Sequence, residues 1–406
     1  MKRLGIFMGL VASIGLAACD DSKEPSAPET PTVGYEEKDL YEHGPYTVGM
    51  RKTTMTYDAP GEDEPRPLPI VIWYPGEAQE GAKRSKLTLA SIYSIPRLQS
   101  YNNLPLADLG TLPVAVYSHG SGGEASLAYE FGEYFASRGW VLIAPSHTDN
   151  TTLDMIGSGS RGLVELSPVR PMDLQAVLDE AETGFGFEDF AGRFDVANTF
   201  LFGHSFGGFT SLALGGADFD YDVAKNRACQ DEESSACQFL SDPEVIAASE
   251  GGFRDARVRA IGLQAPAPIE ILDSAGVEVP TLMLSGNRDL TTPDATSAEP
   301  IWEGLSDPSD LWVRFPQAGH YSFITICSII DPDIISSVVP GAKEDGCGED
   351  FTPPADVVRL NTAYLLSFAE KHVLGVESWD GYLTGDARLQ LEADVDADLE
   401  LLTHAR

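Results

Sequence analysis

The chain has 406 residues, 43% hydrophobic and 22% charged, a globular composition with enough apolar material for one large core or two modest ones. Its formal charge is −36, with acid spread along the whole length; this disfavours nucleic acid as a partner and fits a solvated surface. No Cys-x-x-Cys, His-Glu-x-x-His or acidic calcium loop occurs, so a metal site has no support in the sequence.

Residues 1–19 carry Lys2 and Arg3, then the apolar run 4–16, then Ala17-Ala18-Cys19, the three parts of a secretory signal. The run is too short to span a membrane as a permanent helix. Leu16-Ala17-Ala18-Cys19 also resembles the bacterial lipobox, whose cysteine is lipidated and becomes the mature N-terminus. The expectation is therefore an exported protein of the bacterial cell envelope, held to a membrane through Cys19; an ordinary cleaved signal with a stray cysteine is the alternative. With Cys19 set aside, Cys229, Cys237, Cys327 and Cys347 remain, an even number in an oxidising compartment. Of the possible pairings, Cys229 with Cys237 and Cys327 with Cys347 is preferred because both loops would be short.

Residues 20–43, rich in Asp, Glu, Pro, Ser and Thr without an apolar period, read as a disordered tether. The globular domain is expected over 44–375. It opens with a predicted antiparallel pair at 48–56 and 69–73, where apolar and β-branched residues alternate or run together. Short apolar runs at 112–117, 140–144, 199–202, 261–264, 281–284 and 311–315 then read as strands. Between and after them, 127–137, 171–181 and 355–373 carry helical spacing. This alternation predicts an α/β class, a mostly parallel sheet with helices on both faces and its chemistry at the carboxyl ends of the strands. A loop at 147–168 and an acidic insertion at 216–256 interrupt the rhythm. Residues 376–406 read as an acidic, peripheral tail, and no internal repeat occurs.

Gly203-His204-Ser205-Phe206-Gly207-Gly208 follows the 199–202 strand and precedes an apolar helical stretch, where a nucleophile elbow belongs. The motif alone is weak, since this composition yields roughly 0.3 accidental Gly-x-Ser-x-Gly matches; context carries the inference. Ser205 needs a base, and His320, in a loop just beyond the 311–315 strand, is the candidate, with His147 as the fallback. The base needs an acceptor on its other ring nitrogen, and Asp289 stands at the end of the 281–284 strand. Two backbone N–H groups must face the developing oxyanion. Phe206 supplies one. Ser121, in the glycine-rich turn Ser118-His119-Gly120-Ser121-Gly122-Gly123, supplies the other. No lysine follows those glycines, as a phosphate-cradling loop would require. Phe206, Tyr321, Trp302 and the 147–168 loop are candidate pocket walls.

With Gly44-Pro45-Tyr46-Thr47-Val48-Gly49, Ile72-Trp73-Tyr74-Pro75, Tyr117-Ser118-His119-Gly120 and Ala318-Gly319-His320-Tyr321-Ser322-Phe323 beside the elbow, residues 44–374 resemble bacterial α/β-hydrolases similar to dienelactone hydrolases and platelet-activating-factor acetylhydrolases. The order Ser205, Asp289, His320 is the α/β-hydrolase order. The resemblance implies hydrolysis of short-chain or small-headed esters without metal or cofactor. Two departures stand out. Eukaryotic platelet-activating-factor acetylhydrolases take their acid from the strand directly after the nucleophile, where this chain has Gln264, and dienelactone hydrolases proper use cysteine where Ser205 stands.

The reading is a serine carboxylic ester hydrolase acting through an acyl-enzyme on a small-molecule ester, with activity that rises with pH as His320 loses its proton. A peptidase or amidase on the same triad, and a non-catalytic surface lipoprotein of the same fold, are the alternatives.

Overall fold

The computed structural model describes residues 40, 42–89, 93–95, 98–157, 159–268, 270–387, 392, 395 and 397–404. The expected signal segment, Cys19 and nearly all of the tether lie outside these residues. Ten strands form one sheet: β1 (Val48–Tyr57), β2 (Arg66–Pro75), β3 (Tyr101–Asn102), β4 (Leu112–Ser118), β5 (Val141–Pro145), β6 (Phe194–His204), β7 (Val258–Gln264), β8 (Thr281–Gly286), β9 (Leu311–Phe315) and β10 (Glu400–Thr403). Their order across the sheet is β10-β9-β8-β7-β6-β4-β5-β2-β1-β3. The six from β4 to β9 are mutually parallel, whereas β2 and β10 pair antiparallel to their neighbours at either side.

Side chains on successive strand residues point to opposite faces, so each central strand feeds two cores. Phe200 and Phe202 of β6 pack with Phe131 and Phe135 of helix α1 (Tyr129–Ser137) and Leu365 and Phe368 of α4 (Pro354–Leu374). Leu201, between them, packs on the other face with Leu174 and Val177 of α2 (Leu163–Thr183) and Phe209 and Leu212 of α3 (Phe206–Gly215). This is the expected parallel sheet covered on both sides.

Three boundaries differ from the sequence expectations. Helix α2 begins at Leu163 rather than near Pro171, and so takes in the end of the 147–168 loop. Pro168 has no N–H to bond the Val164 carbonyl, and the Ser167 hydroxyl takes that acceptor instead at 2.7 Å. Leu40 is buried and its carbonyl accepts the Tyr134 hydroxyl, so the domain begins inside the expected tether. The expected peripheral tail is part of the fold: Trp379 is buried and β10 completes the sheet edge against β9. An acidic segment gives no local sign of this, because an edge strand is decided by the neighbour it pairs with.

Disulfides join Cys229 to Cys237 and Cys327 to Cys347. They match an oxidising compartment, extracellular or periplasmic. No helix among the described residues is long and apolar enough to cross a membrane.

Candidate active site

The register brings the carboxyl ends of the parallel strands into one row, with Ser118 opposite Gly203, His204 opposite Gln264 and Gly286 opposite Phe315. Ser205 stands at the centre of that row, between the end of β6 and the start of α3, with φ 54° and ψ −116°. A non-glycine residue persists in that region only when its surroundings over-determine it. Here its N–H donates to the Gln264 carbonyl at 2.8 Å, and its own carbonyl accepts Gly208 N–H at 2.9 Å and Ala267 N–H at 3.0 Å. Glycine at 207 is obligatory, because a Cβ there would stand 1.9 Å from the Ser118 carbonyl oxygen.

His320 and Asp289 arrive from the neighbouring strand ends. The His320 Nδ1–H donates to Asp289 Oδ2 at 2.8 Å, so the neutral ring carries its proton on Nδ1 and presents Nε2 as its acceptor. Asp289 also accepts the Thr292 N–H at 2.6 Å, the Thr291 N–H at 2.8 Å and the Thr292 hydroxyl at 2.8 Å. Burial pushes the Asp289 carboxyl up, but the hydrogen bonds from His320 and Thr292 outweigh it and hold it below the usual carboxylate range. His204, beside Ser205, donates Nε2–H to the His320 carbonyl at 3.0 Å, with the two rings 4.6 Å apart. Burial and the adjacent His320 push His204 down to about 3, so it remains a neutral strut between elbow and base loop.

The Ser118 to Gly123 turn crosses in front of the elbow. Ser121 N–H and Phe206 N–H, the two expected oxyanion donors, meet no acceptor among the described residues. Ser121 is exposed and Ser205 half-buried. The helical turn Thr152–Ile156 borders this edge, with Leu153, Met155 and Ile156 exposed and the Thr152 hydroxyl donating to the Gly122 carbonyl.

His147, the fallback base, is corrected by its surroundings. Its Nδ1 bonds Asp173 Oδ2 at 2.9 Å and its Nε2 bonds the Ser118 hydroxyl at 3.0 Å. Those are the residue types of a Ser-His-Asp triad, yet all three are fully buried, out of reach of any substrate. Burial and Arg170 push His147 down to about 4, while Arg66 and His147 hold Asp173 down to about 2 against its burial. Of the candidate walls, Phe206 is buried and Tyr321 sits edge-on to His320. Trp302 does not belong with them: it stacks on His404, which follows Thr403 opposite Leu311, at the amino end of β9. The 216–256 insertion borders a cavity of 950 Å³ lined by Phe219, Tyr221 and Asp273. Asp218, which follows α3 on that wall, lies beyond the end of the helix opposite Ser205, about 15 Å away for ten residues.

Sequence reasoning missed Thr292, which bonds Asp289, and Asn150, Arg170 and Asp345, whose roles below come from contacts across the fold. None lies in a motif, and Asp345 is one of 63 acidic residues.

Residues 44–155 match the family described as platelet-activating factor acetylhydrolase, isoform II. That segment includes the Ser118 to Gly123 turn and ends before Ser205, Asp289 and His320. Among solved structures, a ferulic acid esterase from Streptomyces cinnamoneus is similar, with a TM-score of 0.59 and 19% identity over 81% of this chain and 91% of that one. No protein of curated function matches the sequence. The chain has the α/β-hydrolase fold, and residues 44–155 are similar to platelet-activating factor acetylhydrolase, isoform II.

Proposed function

We propose that the chain is a serine carboxylic ester hydrolase with Ser205 as nucleophile, His320 as base and Asp289 as its acid. The observation that carries this reading is the Asp289–His320 bond at 2.8 Å, which fixes the tautomer with Nε2 unprotonated in the loop tied to the elbow through His204. Ser205 Oγ attacks the ester carbonyl, and His320 Nε2 takes its proton and returns it to the leaving alcohol. Water, activated in the same way, then releases the acid from the acyl-enzyme. Ser121 and Phe206 N–H receive the negative charge on the carbonyl oxygen, a contribution of about 3–4 kcal/mol per donor in comparable sites. No step calls for a metal or cofactor.

Small esters are the proposed substrates, in keeping with the family match and with the esterase of similar fold. The exposed Leu153, Met155 and Ile156 beside the oxyanion turn favour an apolar acyl or alcohol group. The proposed setting is the bacterial cell envelope, with the domain held to a membrane by a lipid on Cys19. The test is labelling of the purified protein with a fluorophosphonate, beside Ser205→Ala, followed by turnover of p-nitrophenyl acetate and an aminoacyl anilide. Labelling lost in the variant, with ester cleaved faster than anilide, is the expected result. A folded wild type that takes no label would sink the reading.

A further inference from the structure

Behind the Ser118 to Gly123 turn lies a buried polar network in which Arg170, on α2, is the hub. Its guanidinium donates to Ser118 Oγ at 2.8 Å, to the His119 carbonyl, and to Asn150 Oδ1 at 2.9 Å. It also lies over the Phe206 ring, 4.7 Å from Cζ to the ring centre. Asn150 extends the same hold: its side-chain amide donates to Ser121 Oγ at 3.1 Å, and its backbone carbonyl accepts Gly122 N–H at 3.0 Å. Arg170 therefore touches Phe206 directly and reaches Ser121 through Asn150, the two residues of the candidate oxyanion hole.

This arrangement is expensive. Arg170 is fully buried, and among the described residues no carboxylate stands within ion-pair distance of it. Asp173, one turn along α2, gives its oxygens to Arg66, His147 and Tyr57. Burial pushes the Arg170 guanidinium down to about 9, and its Nε has no hydrogen-bond partner. Asp173 supports the charge from beyond ion-pair distance, yet a buried cation without a direct ion pair lowers stability, and such costs persist where function offsets them.

We propose that Arg170, with Asn150, is a positioning residue for the oxyanion hole. It fixes the turn bearing Ser121 N–H against Phe206, and it sets a positive charge behind the point where negative charge develops on the substrate carbonyl oxygen. The inference rests on the acyl-transfer reading of Ser205.

The test compares the full-length wild type with Arg170→Gln, Arg170→Lys and Asn150→Ala. Three quantities are measured: kcat and KM on p-nitrophenyl acetate, thermal melting, and hydrogen exchange of the peptide covering residues 118–123. Arg170→Gln is expected to lower kcat about tenfold to a hundredfold with KM within about threefold, a loss confined to the transition state. Arg170→Lys, which keeps the charge and loses the planar fork, recovers part of that loss. Exchange over 118–123 quickens in Arg170→Gln and Asn150→Ala, while the sheet core stays protected. Unchanged exchange in these variants, or a raised KM with kcat intact, overturns the proposal. Should the Arg170 variants fail to fold, Asn150→Ala decides by the same readings. A wild type that hydrolyses no ester removes the acyl-transfer reading and, with it, the charge role; exchange then still decides whether Arg170 holds the turn.

Discussion

The carboxylate of Asp345 accepts the backbone N–H of His320 at 3.0 Å, and the same oxygen accepts the N–H of Leu290, the residue after Asp289, at 2.9 Å. Its second oxygen accepts the Thr291 hydroxyl at 2.7 Å. One buried side chain from outside the triad thus joins the acid loop to the base loop.

Asp345→Ala should leave three donors without this acceptor, each at about 1–3 kcal/mol where burial keeps water out. The expected outcome is a lower melting temperature and a kcat reduced about tenfold or more with KM little changed. Asp345→Asn, whose amide oxygen can still accept both N–H groups, should recover most of the activity. Equal kinetics for wild type and Asp345→Ala on p-nitrophenyl acetate would show that the loops hold their places unaided.

The Cys327–Cys347 disulfide holds the segment that delivers Asp345. Around it, among the described residues, Cys327, Ile335, Ala342 and Cys347 are buried as a cluster, too small a core to hold an excursion of this length by itself. Replacing both cysteines by serine should cost about 3 kcal/mol, expose 324–348 to proteolysis and lower kcat. Removing Cys229–Cys237, which closes a short loop in the 216–256 insertion, should leave kcat intact. Activity measured in both double variants checks this.

Asp289→Asn keeps the size of the acid but removes its charge and can impose the wrong tautomer on His320. A fall in kcat of about 10⁴ is expected, with KM on p-nitrophenyl acetate nearly unchanged. A loss under tenfold would point to a different partner for the base.

Gly207→Ala places a methyl group against the Ser118 carbonyl, 1.9 Å away, at the contact between elbow and oxyanion turn. Both sides are backbone, so neither can rotate aside. The expected cost is about 3 kcal/mol or more, read as a lowered denaturation midpoint or loss of soluble protein. Gly208→Ala, whose nearest neighbours are Pro266 atoms at 3.1 Å, should be milder.

Burial pushes the Glu370 carboxyl up to about 7, against the hydrogen bond from Trp379 Nε1 at 2.6 Å and the charge of Arg138. A folded-state value raised above the unfolded one means the native protein holds the proton longer. Its contribution to stability is therefore full below the unfolded carboxylate range and lost as pH rises through 7. Glu370→Gln keeps an acceptor for Trp379 and has no proton to lose. Its stability relative to wild type should grow by about 3 kcal/mol between pH 4 and 8. Melting curves across that range check the sign; a gap that narrows with pH contradicts it.

The elbow Gly203 to Gly208, the six parallel strands and the parallel class of the sheet were legible in the chain itself, because they depend on neighbours within a few residues. Apolar runs of four to six residues mark strands wherever both faces are covered, and β9 lies where its pattern predicted. The sequence also ordered Ser205, Asp289 and His320, since each follows a strand, and strand ends in such a sheet share one edge. What no local pattern carried were the contacts between distant residues. His147 and His320 each bond an aspartate and are both buried; what separates them is the serine, fully buried at Ser118 and half-buried at Ser205. Arg170 reaches Ser118 across 52 residues and Asp345 reaches Leu290 across 55. Such pairs are fixed by packing of the whole domain, which decides which of 63 acidic side chains comes to rest against a particular backbone N–H.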